Sequence, residues 1–242
     1  MTQFYGVTKL EKLDDWIPVV SEANWRAKHS AFEVAHSWHA ARGFPPRVAR
    51  VLEASESPLL RRLRPIYCIV EKPVYLDTSK GPSWTDVMAY CRNDEDRSVI
   101  IAVEGKAKET FSQVVADWVR GSKEGSGRGD PKPSRHQRLS YLSAVLNVPD
   151  DPDSRLRYQL LHRTVSAVKE AQLESAAAAM VLIHSFDDSA DANWLDYGAF
   201  LDTLGVERPC KDVVQGPVNL DTSRNMPTFF AWVSDEPRRG IG

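Results

Sequence analysis

Cysteine is scarce: Cys68, Cys91 and Cys210 are odd in number and widely spaced. That excludes a zinc knuckle and a disulfide framework, and it fits a reducing, cytoplasmic compartment. Long apolar runs are missing. No uncharged stretch approaches about 18 residues, so no membrane span is expected. Residues 1–15 lack a basic head followed by an apolar core and carry Glu11, Asp14 and Asp15, so no signal peptide is expected. Excess positive charge is missing too. The formal net charge is -2, unlike a protein that coats nucleic acid through bulk charge. A local basic groove is not excluded. There is no internal repeat and no low-complexity tract.

What the chain does contain is an ordinary globular balance, with 42% hydrophobic and 26% charged residues over 242 positions. That is enough for one large domain with a full core. We read residues 1–242 as one domain, with a core over roughly 31–186 and a C-terminal extension over 187–242.

Phe32, Ala35, Trp38 and His39 recur at three- and four-residue intervals and predict a helix over 31–41, ended by Gly43 and Pro45-Pro46. A second helix is expected over 47–55. Residues 66–76 are rich in Ile, Val and Tyr and predict a strand, with Pro73 pointing to an edge or a bulge. A strand over 85–91 and a polar turn over 93–96 follow. Residues 98–106, with Val99-Ile100-Ile101-Ala102-Val103, give the strongest strand signal and read as buried on both faces. Helices are expected over 111–119, 135–146 and 154–175, the last two separated by Pro149-Asp150-Asp151-Pro152. Residues 176–186 read as an apolar strand, although their alanine-rich start also suits a longer helix. A helix over 193–204 and a last strand over 229–233 complete the pattern. The result is an α/β protein with a mixed central sheet flanked by helices.

Two charges interrupt the most apolar strand. Glu104 and Lys106 flank Gly105 and project from one face, because strand side chains alternate. Burying ionised groups is costly unless they are paired or bind a metal. Gly105 lets a ligand or another backbone approach closely. Asp86 opens the preceding strand, and a hairpin through the turn over 93–96 would bring it to the end that carries Glu104 and Lys106. Two carboxylates and a strand carbonyl suit a hard cation such as Mg2+. That pairing predicts a phosphodiester substrate, with Lys106 orienting water and offsetting phosphoanion charge.

Asp86 followed by Val103-Glu104-Gly105-Lys106 resembles the D…ExK signature of the PD-(D/E)XK, or restriction-endonuclease-like, nuclease superfamily. The element order over about 31–186 matches its αβββαβ core. The resemblance implies that Asp86 and Glu104 bind Mg2+ or Mn2+, and that Lys106 assists the nucleophilic water on DNA. It also allows for a homodimer, since double-strand cutters of this fold often use two active sites. Gln159 and Arg163, four apart on the long helix, are candidate accessory residues. The recombination-exonuclease branch carries Gln-x-x-x-Tyr, whereas Arg163 holds the last position here, so that branch is not assigned. Glu33 or Glu53 on the opening helices would add a further carboxylate. Trp84 beside Asp86 is a candidate for base stacking. Lys123, Arg128, Lys132, Arg135 and Arg138 form a basic segment suited to backbone phosphates, or to a solvated loop. His36 and His39 lack a third ligand and read as packing residues. Fold does not fix function, so a catalytically inactive member serving as a nucleic-acid or protein interaction module stands as the alternative, and a purely structural partner as a third reading.

Overall fold

Residues Ser98–Lys106 form β5, the strand expected at the centre, and every residue after Ser98 in it is buried. Val99, Ile101 and Val103 pack on one side of the sheet, and Ile100 and Ala102 on the other. The computed structural model describes residues 2–77, 81–123, 126, 129–186, 191–206, 208–221 and 223–237. Among them eight strands make one mixed sheet.

The strands before β5 are β1 (Gln3–Tyr5), β2 (Lys9–Leu10), β3 (Arg64–Val74) and β4 (Ser83–Arg92); after it come β6 (Ala178–Ser185), β7 (Val214–Leu220) and β8 (Met226–Ser234). The sheet order is β2-β1-β3-β4-β5-β6-β8-β7. β3, β4 and β5 run antiparallel in turn, and β6 and β8 add in parallel. The meander needs only short turns, such as the one over 93–96, where Asn93 Oδ1 accepts from the Glu95 and Arg97 amides. The parallel addition of β6 needs a helical crossover, and three helices supply it.

One face carries α1 (Ile17–Val20), α2 (Ser30–Ala41) and α3 (Pro46–Glu53). The other carries α4 (Val115–Arg120), α5 (Pro133–Leu146), α6 (Tyr158–Leu173) and α7 (Asp191–Thr203). Pro46 opens α3, where its missing N–H costs nothing. Arg42 and Asn147 end α2 and α5 in the left-handed conformation. The alanines at 178 and 179 belong to the strand and not to the helix before it.

Several expectations shift. The helix expected over 111–119 begins only at Val115. The segment before it is held extended across to α6 and α7: Val114 bridges Arg157, the Gln113 carbonyl accepts from Tyr158, and the Phe111 amide donates to Asn193 Oδ1. The helix expected over 154–175 starts at Tyr158. Pro73 sits in an inner strand, but β1 reaches only Tyr67 to Ile69, so Pro73 lies on a locally free edge. Residues 187–242, read as an extension, supply α7, β7 and β8 of the same sheet. The short strands β1, β2 and β7 were not expected. No helix among the described residues is long and apolar enough to cross a membrane. Cys68 and Cys91 are buried, free thiols, and burial pushes both up in pKa.

Candidate functional site

β4 and β5 part company at the site. Their pairing runs from Arg92↔Ser98 to Val87↔Val103. Past that point β4 stays with β3 through Thr85, Trp84 and Ser83, while β5 stays with β6 through Glu104, Gly105 and Lys106. Asp86 fills the fork: its Oδ2 accepts the Gly105 amide at 2.8 Å. A cavity of ≈ 380 Å³ opens there, lined by Glu71, Asp86, Glu104, Lys106, Glu109 and Gln159 among others.

Gly105 is needed at this point. A Cβ on it would lie 2.4 Å from Val34 Cγ2 and 3.3 Å from Ser30 Cβ, so the close neighbour is α2. Glu109 fixes the start of that helix. Its Oε1 accepts from the Ser30 amide at 2.9 Å and from Ser30 Oγ, and its Oε2 accepts from the Ala107 amide. One wall of the cavity is therefore tied to the tip of β5.

Glu104 and Lys106 are 2% and 4% exposed, so their charges must be answered inside the protein. Lys106 Nζ donates to Glu104 Oε1 at 2.7 Å and to Gln159 Oε1 at 3.1 Å. Gln159 Nε2 donates to the same Glu104 oxygen at 2.7 Å. Arg163 grips Glu104 Oε2 through Nε at 2.7 Å and through Nη2, and it donates from Nη1 to the Trp84 carbonyl. Arg163 Nη2 also lies 3.6 Å from Asp86 Oδ1. One turn of α6 thus delivers Gln159 and Arg163 to the same carboxylate.

The electrostatics separate the acids. Burial alone would raise Glu104, but Arg163 and then Lys106 outweigh it and hold the carboxyl down at about 2. Asp86 goes the other way: burial first and the Glu104 charge second push it up to about 6. Glu71 on β3 is pushed up to about 8, by burial and then by Asp86. Beside them His162 is driven down to about 3 by burial and by Arg163, and so is neutral; its Nδ1 meets Ser83 Oγ at 2.8 Å.

The structure brings together Asp86, Glu104, Lys106, Gln159 and Arg163. It does not bring the other expected residues. Glu33 accepts the Lys28 amide and lines a separate cavity with His36, Ser37 and Asp235, because its position on α2 turns it away from β5's tip. Glu53 is exposed at the end of α3. Arg138 is spent on Asp77, at 3.0 Å, and on the Gly81 carbonyl, and Arg135 lies over Trp118 and donates to its carbonyl. Lys132 is exposed and packs over Gly121. None of these three bases lines the cavity. Arg128 lies outside the described residues. His36 stacks on Phe32 and Trp25, and His39 accepts from Trp16, so both are packing residues. Trp84 is 53% exposed and lines a groove that meets the cavity at Glu71.

Glu71 and Glu109 were not singled out from sequence. Glu71 carries the signal that marked Glu104, a carboxylate inside an Ile/Val-rich strand. Glu109 carries none, since it acts from a loop. Among the described residues no cluster of three or more His, Cys, Asp or Glu forms a ready metal cage.

These features define an α/β protein whose mixed eight-stranded sheet gathers acids and bases where two of its inner strands diverge. The chain belongs to the family described as Domain of unknown function (DUF6946), whose model matches residues 9–237. No curated protein and no solved structure matches it.

Proposed function

We propose that this chain is a metal-dependent nuclease of the PD-(D/E)XK kind that hydrolyses DNA phosphodiester bonds. The observation that carries this reading is the meeting of Asp86, Glu104 and Lys106 at one strand fork beside a cavity. The helix, three strands, helices, strand order around them is what a restriction-endonuclease-like core requires. A cytoplasmic location fits the free cysteines and the substrate.

The donors present suit Mg2+ or Mn2+, which take carboxylate oxygens and keep some waters. Asp86 Oδ1 keeps acceptor capacity toward the cavity, with Arg163 its nearest cation at 3.6 Å. Glu104 would have to release a partner to join it. When bound, the ion would supply charge neutralisation at the phosphate and acidify a water. The chain's own residues do the positioning. Glu104 holds the Lys106 ammonium at the cavity wall, and Gln159 fixes it from the second side. Lys106 then orients the attacking water and offsets the charge that grows on the phosphoryl oxygens. Water adds to phosphorus, one P–O ester bond breaks, and a phosphomonoester and a hydroxyl remain. Trp84 offers an exposed ring next to the cavity on which a base can stack.

A second reading keeps the fold and the DNA contact without turnover. What favours it is the saturation of both Glu104 oxygens by Lys106, Gln159 and Arg163. One experiment separates the two. Plasmid and single-stranded DNA are incubated with the protein and Mg2+ or Mn2+, then with EDTA. Metal-dependent cleavage that disappears in Lys106→Ala supports the nuclease. Binding without cleavage supports the module.

A further inference from the structure

Four carboxylates line the cavity, and two of them are already consumed. Glu104 accepts four hydrogen bonds, from Lys106, Gln159 and two Arg163 nitrogens, which uses the lone-pair capacity of an ionised carboxylate. Glu109 is occupied by Ser30 and Ala107. Asp86 and Glu71 are left.

Glu71 reaches the cavity by an unusual backbone step. Its φ is 47°, left-handed inside a strand, and only a structure that over-determines such a conformation keeps it. The step reverses the alternation of β3. Val70 packs with Val34 and Val87 on the α2 side, yet Val74 packs with Leu76 and Met88 on the opposite side, and Lys72 reaches Glu170 on α6. Glu71 falls at the reversal, between Val70↔Val87 and Lys72↔Thr85, hence beside Asp86. It is the residue common to the cavity and to the Trp84 groove. The charges that act on its carboxylate are those of Asp86, Arg163 and Glu104.

We infer that Glu71 and Asp86 together form the divalent-cation seat, and that Glu104 is a positioning residue for Lys106 and Arg163 instead of a metal ligand. This rests on the nuclease reading and deepens it. Three carboxylates (Glu71, Asp86, Glu104) face two cations (Lys106, Arg163), so the ionised cluster keeps one negative charge that a hard cation would take up. The left-handed turn at Glu71 is then what adds a third strand's side chain to a fork built by two.

The test is a Mn2+ titration of the whole chain without DNA, followed by calorimetry or Mn2+ electron paramagnetic resonance, with cleavage assayed separately. Glu71→Gln and Asp86→Asn are expected to weaken Mn2+ at least about tenfold, the lower bound for losing even an outer-shell partner. Glu71→Asn, which tolerates a left-handed backbone, should do the same. Without metal, both Glu71 variants should unfold no more easily than the parent, because a carboxyl that burial and Asp86 make costly to ionise has been removed. Glu104→Gln, which removes a neighbouring charge but no ligand, should weaken Mn2+ less than either Glu71→Gln or Asp86→Asn, while kcat for cleavage collapses. Unchanged affinity in the Glu71 variants, or a loss of affinity in Glu104→Gln as large as in Glu71→Gln, overturns the seat while metal-dependent cleavage by the parent keeps the nuclease reading standing. A parent that neither binds Mn2+ nor cuts DNA removes both.

Discussion

The carboxylate of Asp86 accepts the backbone amide of Gly105 at 2.8 Å, so a side chain closes the gap that opens where β4 and β5 separate. The bond places an acid from one strand at the midpoint of the Glu104–Lys106 pair on the other. The dependence of that arrangement on local crowding, charge and exposure yields four predictions.

Crowding at Gly105 is the first. Its missing Cβ makes room for Val34, 2.4 Å from where that atom would be. Gly105→Ala should cost ~1–3 kcal/mol, the usual penalty for overpacking. It should also displace Glu104 and Lys106 enough to lower cleavage. Denaturant unfolding measures the loss, and Val34→Ala in the same chain should recover part of it. Full stability in the single variant would contradict the packing described.

Glu104 and Arg163 are both 2% exposed and answer one another. Removing one leaves the other buried with its charge only partly met, since Asp86 lies 3.6 Å from Arg163. Glu104→Gln should therefore cost ~3–5 kcal/mol. Glu104→Gln with Arg163→Met should cost less than the two single changes added together, and a double-mutant cycle reads the coupling. Strict additivity would mean the pair contributes nothing.

Acidity divides the cluster into two windows. Glu104 is held near 2 against an ordinary 4.5, so its stabilisation is present above about pH 4.5 and is lost as pH falls toward 2. Glu71 and Asp86 are raised to about 8 and about 6 from 4.5 and 3.8. In the folded chain they hold protons that the unfolded chain has released, so stability declines as pH rises from about 4 through 8. Unfolding free energies measured from pH 3 to 9 should peak near the overlap. Mg2+ should raise the midpoint more at pH 8 than at pH 5, because bound metal displaces those protons. A flat profile from pH 5 to 8 would count against the buried acid pair.

Trp84 donates little to the core at 53% exposure. Trp84→Ala should leave the unfolding midpoint nearly unchanged. It should weaken single-stranded DNA by ~1–3 kcal/mol, the value of one base stacked on an aromatic ring. Fluorescence anisotropy with a short labelled oligonucleotide checks this, and equal affinity would remove Trp84 from the binding surface.

The strands that carry the charges were legible because Glu104 and Lys106 break an apolar run that ends where they stand, and Asp86 because a short turn fixes its distance from them. Gln159 and Arg163 were legible through the nuclease resemblance, with helical spacing adding only that the two share a face. Glu71 carried the same mark as Glu104, a carboxylate in an Ile/Val-rich strand, but the left-handed backbone that turns it toward the site is not written in residue types. Glu33 misled because periodicity tells which side of α2 is buried but not which cavity lies beneath it. The strands β1 and β2 are three and two residues long, and β7 is interrupted at Gly216-Pro217, so none shows a strand pattern.

Those same short and broken strands have a consequence for self-association. On one flank of the sheet β2 offers two residues, and on the other β7 slips register between Gln215 and Val218 and lacks a donor at Pro217. Neither rim presents a template on which a foreign ribbon can extend the ladder, which is how natural sheets avoid fibre growth. Two copies acting on opposite strands of a duplex would have to meet through helices or loops.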